Sequence, residues 1–505
     1  MKPGKVYLIG AGPGDPGLIT AKGLRCLETA DVVVYDHLVD ESLLEPARKD
    51  ARLISAGKQQ SHHTLSQEEI NSLLISLGRE GHVVARLKGG DPFVLGRGGE
   101  EAEALAAAGI PFEVVPGVTA AVAVPAYAGI PLTHRRLASS FAVVTGHETP
   151  DKGQSTIDWT RLAGGADTLV FLMGVTNLAP ICRALVEHGR SPVTPAAVIR
   201  WGTYPRQETV TGTLVDIAQR ATEAGMAPPA VLVVGEVVGL RDALRWFDNR
   251  PLFGKRILVT RSRHQASRLS KLLEQEGAEP VELPTIEIQQ APSPSLDSAL
   301  SRMGDFSWVV LTSANGVEAL FSRLIELGRD ARALGGVKIC AIGDATAEAL
   351  RGWGLRADLV PSKFSAGGIL QAFEGQDITG VRFLLPRVEA VPPELADGLR
   401  QRGAEVEELA LYRTQPADPS DQARELVESA DIITFTSSST VKGLARLVGG
   451  DVGFINRATV ACIGPVTAAT AAGMGIRTDV VASTHTIPGL VSALVEYEKV
   501  GRGGR

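Results

Sequence analysis

Two glycine-rich turns carry the residue types best suited to hold a small molecule. The first, GAGPGDPG at 10–17, follows the apolar stretch VYLI, and the second, GGDPFV at 89–94, follows VVARLK. Glycine lets the backbone approach a ligand closely, and amides at the start of a following helix can bind it. Asp15 occupies the last glycine position of a G-x-G-x-x-G pattern, which argues against a nicotinamide site. The two turns predict a cleft walled by backbone.

Ionisable side chains near these turns could move protons or bind anions. Asp36 ends the stretch DVVVYD and Lys58 follows ARLISAG, although a turn cap and a surface charge are the simpler interpretations of each alone. Five basic residues could pair with ligand carboxylates or could be rim charges: Arg86, Lys88, Arg97, Arg135 and Arg136. His62 and His63 are adjacent, but no partner spacing supports a metal site, so we expect none.

In the second half of the chain, the candidate binding residues carry hydroxyl groups. They are predicted to lie in loops after strands, where hydroxyls and backbone amides can hold carboxylates: Ser313, Thr346, Ser437, Ser438 and Thr467. Serine and threonine are also common helix N-caps, and both roles can coexist. The sequence of this half shows no cluster typical of a metal site or a strong general base. A reaction steered by shape is therefore expected there.

Short β-branched runs alternate with helical stretches along the whole chain and must position these residues. Examples are VYLIG, DVVVYD, TLVFLMG, RILVTR and KICAIG, which predict an α/β fold with largely parallel sheets. The 505 residues suffice for about three to four domains. A boundary is predicted at WFDNRPLFGK, between Trp246 and Lys255. The sequence VPG at 115–117 divides the first half into lobes of about 1–115 and 116–247.

Composition excludes several classes of protein. The net charge of −6 argues against a general nucleic-acid binder. No run of about 18 apolar residues is present, so we expect no membrane span. The first residues lack the features of a secretory signal, and a cytoplasmic location is expected. The widely separated cysteines, Cys26, Cys182, Cys340 and Cys462, predict neither a zinc site nor a disulfide framework.

The second half contains an internal repeat. KICAIGDATAEAL matches TVACIGPVTAATA with Gly343 and Gly464 in step, and DLVPSKFSAGGI matches DVVASTHTIPGL with Asp358 and Asp479 in step; both spacings are 121 residues. RILVTR also matches RFLLPR, and WVVLTSANGVEAL matches DIITFTSSSTVKGL. Four matched segments predict two similar α/β lobes of about 120 residues each. Ligands of such sheets sit at the carboxyl ends of the strands.

Eight motifs of the first half resemble those of the uroporphyrinogen-III C-methyltransferases in order and spacing. They span about residues 4–247: GAGPGDPGLIT, VVYDHLV, RLKGGDPFVLGRGGEE, PGVTAA, PLTHR, VTGH, FLMG and PAVLVVGEVV. The resemblance implies a two-lobed tetrapyrrole methylase fold with S-adenosylmethionine in its central cleft, acting as a homodimer. The family methylates two pyrrole carbons of uroporphyrinogen III to give precorrin-2. Leu172 departs from the family, which often has tyrosine before Met-Gly.

The same resemblance implies roles for individual residues. Asp36 matches the proton acceptor and Lys58 the proton donor. The positions matching the cofactor pocket would be ordinary turn or core residues if taken one by one: Pro13, Gly89, Gly90, Asp91, Val94, Thr119, Ala120, Met173, Gly202 and Ala230. Methyl transfer depends above all on placement of the reacting atoms, which rigid glycine-lined walls favour.

Residues 253 to about 497 resemble uroporphyrinogen-III synthase through KRILVTR, VVLTSANGVEAL, AIGDATAEAL, LALYRT, FTSSSTV and IGPVTA. The resemblance implies an outer lobe of about 253–280 and 415–497 and an inner lobe of about 290–406, joined by crossing segments at 281–288 and 407–414. Residues 498–505 are expected to be a flexible tail. The family closes hydroxymethylbilane into a ring while inverting the last pyrrole, without a cofactor. Tyr412 matches the tyrosine that assists departure of hydroxide.

The two resemblances together predict a bifunctional enzyme whose substrates are small tetrapyrroles, with no nucleic-acid or membrane partner. Its product could feed sirohaem or cobalamin. One alternative keeps the methyltransferase but changes its acceptor to another corrin intermediate or a macromolecule. A second alternative makes the second half a non-catalytic sensor of a small anion.

Overall fold

The computed structural model describes residues 4–57, 65–147, 157–260, 263–291, 294–388, 393–416 and 421–503. The chain forms two compact units. The first unit comprises Met1–Ile257, Lys271–Pro280 and Leu494–Arg505, and the second comprises Leu258–Ser270 and Val281–Ala493. In the described part of the chain, no helix is both long and apolar enough to cross a membrane.

The first lobe is built on a parallel sheet with strand order β3-β2-β4-β1-β5. The central strands β2, β4 and β1 are largely buried, as is typical of parallel strands covered by helices on both faces, whereas the edge strands β3 and β5 are partly exposed. The strands are β1 (Lys5–Gly10), β2 (Val32–Tyr35), β3 (Arg52–Ser55), β4 (Val83–Lys88) and β5 (Phe112–Val115). The helices are α1 (Ala21–Thr29), α2 (Gln67–Arg79) and α3 (Gly98–Ala107).

The second lobe contains a mixed sheet of order β6-β7-β10-β8-β9. Its strands are β6 (Phe141–Thr145), β7 (Thr168–Leu172), β8 (Pro195–Arg200), β9 (Glu208–Thr213) and β10 (Ala230–Val234). Its helices are α4 (Ala120–Tyr127), α5 (Trp159–Gly165), α6 (Leu178–Glu187), α7 (Ile217–Glu223) and α8 (Arg241–Leu244). Only β6 and β7 pair in parallel, which differs from the largely parallel sheets expected. The connection at 201–207 is too short for the crossover that a parallel β8–β9 pair would need.

The second half continues the alternation of strands and helices. Its strands are β11 (Arg256–Val259), β12 (Glu279–Glu282), β13 (Ile286–Gln290), β14 (Trp308–Leu311), β15 (Lys338–Ala341), β16 (Arg382–Val388), β17 (Glu405–Pro416), β18 (Ile432–Phe435), β19 (Thr459–Cys462) and β20 (Val480–Val481). Its helices are α9 (Arg263–Gln275), α10 (Pro294–Ser301), α11 (Ala314–Glu326), α12 (Asp344–Gly352), α13 (Ala366–Ala372), α14 (Glu394–Gln401), α15 (Asp421–Glu428), α16 (Ser438–Leu447), α17 (Pro465–Gly473) and α18 (Ile487–Gly503).

These strands form two sheets that follow the sequence repeat. The outer sheet has the order β12-β11-β18-β19-β20, and the inner sheet has the order β13-β17-β16-β14-β15. The repeat also holds at the level of hydrogen bonds. The carboxylate of Asp358 accepts from the Ile339 amide at 2.7 Å, and that of Asp479 accepts from the Val460 amide at 2.9 Å. Each aspartate therefore joins a loop to the start of the neighbouring strand in its own lobe.

The predicted boundary at 246–255 is a packed linker, and the C-terminus differs from the flexible tail that was expected. The Leu252 amide donates to the Glu276 carbonyl at 2.9 Å, and Lys255 pairs with Glu498 at 3.2 Å, all within the first unit. The linker is therefore packed against the ends of α9 and α18. Because Leu494 is fully buried and Glu498 is ion-paired, α18 continues to Gly503, and residues 498–503 are helical where a flexible tail was predicted.

Candidate active sites

Three glycines bring the ends of the first lobe's strands together. A Cβ built on Gly10 would lie 2.5 Å from the Gly117 Cα, and one on Gly117 would lie 2.3 Å from the Gly90 carbonyl oxygen. The Gly90 amide donates to the Gly12 carbonyl at 2.7 Å, and both residues have a positive φ. Side chains are excluded at these contacts, so the two glycine-rich turns of the sequence lie side by side.

The predicted cofactor residues nearest this junction are Gly89, Gly90, Asp91, Thr119 and Ala120. A Cβ on Gly90 would lie 3.6 Å from the Ala120 amide nitrogen, where α4 begins. Thr119 caps α4, its hydroxyl accepting from the backbone at the second position of the helix. The Asp91 carboxylate accepts from the amides of Phe93 at 2.8 Å and Gly117 at 2.9 Å, so it fixes the turn. Val94 continues the same turn and is half-buried.

The remaining predicted cofactor residues come from the second lobe, with Pro13 in the loop after β1. Met173 follows β7 with a positive φ, and its side chain is half exposed. Ala230 begins β10 opposite Arg200 at the end of β8, and the β7–β10 register places Met173 at the same sheet edge. Gly202 follows β8, and a Cβ there would lie 2.4 Å from Val124 Cγ1 on α4. The helix α4 therefore connects the two groups of residues.

The loop after β1 is also tied to the second lobe. The Asp15 amide donates to the Thr203 hydroxyl at 2.9 Å, and the Tyr127 hydroxyl donates to the Asp15 carboxylate at 2.6 Å. Burial, followed by this carboxylate, raises the pKa of Tyr127. The phenol therefore stays neutral and keeps the two lobes joined beside Pro13.

A buried network of charges lies beneath the predicted proton acceptor. Asp36 follows β2, and its carboxylate lies 2.5 Å from the guanidinium of Arg86 on β4. Arg86 also pairs with Glu101 of α3 at 3.2 Å, and Lys88 pairs with the same carboxylate oxygen at 2.6 Å. Arg86 is 2% exposed, Lys88 3% and Glu101 0%. Two carboxylates therefore balance two cations, which a buried site requires.

This network corrects the interpretation of Arg86 and Lys88 as rim charges or ligand contacts. Burial, followed by the neighbouring Arg86 charge, lowers the pKa of Lys88. Arg97, Arg135 and Arg136 are exposed, and Arg97 pairs with Glu100 at 2.6 Å. Lys58, the predicted proton donor, lies outside the described residues.

In the second half, Tyr412 and Ser313 form a pair of hydroxyls 3.0 Å apart. Tyr412 lies on β17 and is 5% exposed, while Ser313 is half-buried and caps α11, where it accepts from the Gly316 amide at 3.0 Å. Within the described residues, the Tyr412 hydroxyl makes no other hydrogen bond. A buried donor without an acceptor is costly, so the phenol donates to Ser313. In this arrangement the Ser313 oxygen accepts from both Tyr412 and the Gly316 amide, and its own proton is left to donate elsewhere.

The other predicted substrate residues lie at equivalent helix starts. Ser437 caps α16 and accepts from the Thr440 amide at 3.4 Å, while the Ser438 hydroxyl lies 2.7 Å from that of Thr470. Thr346 and Thr467 occupy the first turns of α12 and α17 and are almost fully buried. The hydroxyls of Ser313 and Ser437 thus act as caps, and their contact with a substrate stays a prediction.

The comparisons with known proteins divide the chain in the same order. The family model of tetrapyrrole (corrin/porphyrin) methylases matches residues 5–218, and that of uroporphyrinogen-III synthase HemD matches residues 267–492. The porphyrin biosynthesis protein HemD of Ruminiclostridium josui is 39% identical over 500 residues, covering 98% of this chain and 98% of its own length. The chain belongs to this family of fused tetrapyrrole-biosynthesis proteins. It joins a methylase region to a synthase region, and the sensor alternative is not favoured.

Two further similarities concern the methylase region. The uroporphyrinogen-III C-methyltransferase of Priestia megaterium is 54% identical over 46% of this chain and 98% of its own length. A crystal structure of uroporphyrin-III C-methyl transferase from Thermus thermophilus complexed with S-adenyl homocysteine is 42% identical. It covers 47% of this chain and 100% of that chain, with a TM-score of 0.41.

Sequence reasoning missed Glu101 as the residue that holds the charges of the methylase region together. A signal was present, because Arg86 and Lys88 are two positions apart in the otherwise apolar strand VVARLK and therefore point to one face. Two cations on one face of a central strand require a buried acidic partner, and α3 begins with the acidic sequence GGEE.

Proposed function

We propose that the synthase region converts hydroxymethylbilane into uroporphyrinogen III with inversion of the last pyrrole, and that the methylase region methylates this product twice to give precorrin-2. The proposal is supported by the presence in one chain of two families with consecutive reactions, and by a relative that aligns over 98% of both chains. The product of one region has the structure that the other region's family accepts.

S-adenosylmethionine is the methyl donor of the methylase region, and when bound it supplies an electrophilic methyl group. The glycine turn fits such a ligand because it is not crowded by side chains: within 4 Å, a Cβ on Gly90 would meet only Ala120 N at 3.6 Å and Thr119 Cα at 3.8 Å, and a Cβ on Gly89 would meet only Leu38 Cβ at 3.6 Å. We assign its binding to the turns at 89–94 and 119–120 and to Met173, Gly202 and Ala230. The Asp91 carboxylate keeps lone pairs beyond the two amides it accepts, and these could take an ammonium group.

Asp36 accepts a proton in the proposed methylation. Addition of a methyl group to a pyrrole carbon leaves the macrocycle cationic, and loss of a proton restores neutrality. Arg86 holds the Asp36 carboxylate at 2.5 Å, and Glu101 and Lys88 hold Arg86 in turn. These three residues position the base and do not themselves contact the substrate. Proton donation by Lys58 stays a prediction.

In the proposed synthase reaction, the carbon–oxygen bond of the hydroxymethyl group breaks and hydroxide leaves with the electron pair. The remaining cationic azafulvene closes through a spiro intermediate. We assign the hydrogen bond to the departing oxygen to Ser313, whose proton is free because Tyr412 donates to its oxygen. Burial raises the pKa of Tyr412, so the phenol stays a neutral donor behind Ser313.

Separate assays of the two regions test this assignment in the full chain. Hydroxymethylbilane alone should give the type III isomer, and uroporphyrinogen III with S-adenosylmethionine should give a dimethylated product. If hydroxymethylbilane yields only the uninverted type I isomer, the synthase assignment is wrong. If uroporphyrinogen III stays unmethylated while another corrin intermediate is methylated, the acceptor is wrong.

We further propose that two copies pair through the methylase region and that the protein acts in the cytoplasm. Light scattering of the purified chain would decide the first point, because a single monomer mass would contradict it. Fractionation of the producing cells would decide the second. A strain in which the protein is deleted would show whether its product supplies sirohaem or cobalamin, because the strain should lack the compound that is supplied.

A further inference from the structure

Two repeat-related loops of the second unit each lay a flat side chain on a glycine. Phe364 lies on Gly343, the N-cap residue of α12, and His485 lies on Gly464, the N-cap residue of α17. A Cβ on Gly343 would lie 2.9 Å from Phe364 Cγ, and one on Gly464 would lie 3.0 Å from His485 Cδ2. Both pairs obey the 121-residue spacing of the internal repeat. The arrangement is therefore duplicated, not incidental to one loop.

Each ring meets its glycine with a face and not an edge. A Cβ built on Gly343 would lie 2.9, 3.2 and 3.2 Å from three adjacent ring atoms of Phe364, and these distances correspond to an approach from above the ring. A Cβ built on Gly464 would lie 3.0, 3.2 and 3.5 Å from three atoms of the His485 imidazole. One face of each ring thus covers backbone, and Phe364 remains 60% exposed.

The backbone fixes both loops in the same way. The Ser365 hydroxyl accepts from the Gly368 amide, and the Thr486 hydroxyl accepts from the Gly489 amide, each at 3.1 Å. A Cβ on Gly368 or Gly489 would lie 1.9 Å or 2.1 Å from a carbonyl oxygen of its own loop. The chain leaves no room for side chains there, so the position of each ring follows from a closed loop that is repeated in both lobes.

One lobe has phenylalanine where the other has histidine, and this difference shows which property the two positions share. A phenyl ring is apolar and an imidazole is not, so burial of apolar surface is not the common requirement. Both are flat and can stack on another flat ring. Both lie at the ends of β15 and β19, beside Thr346 and Thr467, and this edge is where parallel sheets bind ligands.

We propose that Phe364 and His485 are substrate-binding residues on which pyrrole rings of the open-chain tetrapyrrole stack, one in each lobe of the synthase region. The inference rests on the proposed synthase function and extends it to the ligand's flat rings. Stacked rings hold the linear precursor curled while its last pyrrole inverts. Loss of a stacking surface leaves the precursor freer to close without inversion, which gives the type I isomer.

Alanine variants measure the contribution of each ring in the full-length chain. Phe364→Ala and His485→Ala should each raise the KM for hydroxymethylbilane by about tenfold and raise the share of type I product, because one stacking contact is lost. Phe364→His and His485→Phe keep a flat ring and should retain most of the affinity and the type III product. Unchanged KM and isomer ratio in both alanine variants would overturn the proposal, as would loss of function in the ring-preserving variants.

The glycines allow a second test that leaves the ring in place. Gly343 has an extended backbone, with φ of −173°, so alanine is tolerated by the chain and its Cβ only displaces Phe364. Gly343→Ala should raise the KM in the natural chain and have little further effect in Phe364→Ala. An equal loss in both backgrounds would mean that the ligand needs the glycine itself, and the stacking role of Phe364 would be rejected.

Ile325→Ala is a matched control, because Ile325 is 55% exposed in the same lobe but lies near the end of α11. It should leave the KM and the isomer ratio unchanged, and thermal unfolding of every variant reports whether it folds. These experiments distinguish the proposed synthase function from the stacking role of Phe364 and His485. If the unaltered chain makes no type III isomer, the proposed function fails; if it does and the alanine variants match it, only the stacking inference fails.

Discussion

The candidate sites of the methylase and synthase regions are built from different kinds of side chain. Beneath Asp36, the methylase region buries a closed set of charges in which Arg86 and Lys88 share Glu101. At the corresponding strand ends, the synthase region places hydroxyls, of which Ser313 and Tyr412 are the clearest pair. A fixed carboxylate suits a reaction that must release a proton. Neutral donors suit the departure of hydroxide in the proposed ring closure.

The regions also differ in how their sites are assembled. In the methylase region, residues from unlike segments meet at one junction of glycines, so one intruding Cβ disturbs several contacts at once. In the synthase region, the repeat supplies two similar loop sets, each with its own helix cap and glycine. The comparison predicts that single changes should be more damaging to methylation than to ring closure.

Removal of the proposed base should have the largest effect. Asp36→Asn keeps the size of the side chain but removes the proton acceptor, and general-base losses are typically about 10²–10⁴-fold. Methylation of added uroporphyrinogen III should fall by that factor, as measured by transfer of labelled methyl groups. Ring closure by the same preparation should not change. A methylation rate within about threefold of the original would contradict the role of Asp36.

Neutralising the shared carboxylate should destabilise the first unit. Glu101→Gln removes the carboxylate that Arg86 and Lys88 share, so Lys88 loses its counter-charge and Arg86 keeps only Asp36. Breaking a buried pair costs about 3–5 kcal/mol. Denaturant unfolding should show this loss, together with slower methylation because Arg86 is no longer held. Glu103→Gln on the exposed face of α3 is the control and should lie within about 0.5 kcal/mol of the original. Equal stability of the two variants would refute the buried network.

A single methyl group at the glycine junction tests the assembly of the methylase site. Gly117→Ala places a Cβ 2.3 Å from the Gly90 carbonyl oxygen, and overpacking of this kind costs about 1–3 kcal/mol. Calorimetry should show weaker binding of S-adenosylhomocysteine, by about 10- to 100-fold. Gly99→Ala on α3 meets no atom within 4 Å and should bind normally. Normal binding by Gly117→Ala would separate the junction from the cofactor site.

The hydroxyl pair of the synthase region should give the smallest effect. Tyr412→Phe keeps the buried ring and removes one hydrogen bond, which is worth about 0.5–1.5 kcal/mol. The rate of ring closure should fall by about tenfold, with methylation unchanged. Ser313→Ala should lower the rate of ring closure at least as much, because Ser313 is proposed to donate the hydrogen bond to the departing oxygen. A larger loss in Tyr412→Phe than in Ser313→Ala would show that the phenol contacts the substrate directly.

The sequence predicted the fold class and the order of the two regions because ordered motifs and a repeat survive in one chain. It also predicted the two glycine-rich turns, since glycines after strands leave a recognisable pattern, but not that these turns lie side by side. It misplaced Arg86 and Lys88, because the burial of a basic side chain depends on a partner from another element. It likewise missed the helix at 498–503, whose end is held by the ion pair of Glu498 with Lys255. Contacts between distant segments decide both features.

We propose that one chain carries out two consecutive reactions on a tetrapyrrole. Mass spectrometry of the product formed from hydroxymethylbilane and S-adenosylmethionine tests it most directly, with Asp36→Asn beside the unaltered chain. We expect a product two methyl groups heavier than uroporphyrinogen III, and accumulation of unmethylated type III isomer in Asp36→Asn. Accumulation of the type I isomer, or full dimethylation by Asp36→Asn, would contradict it.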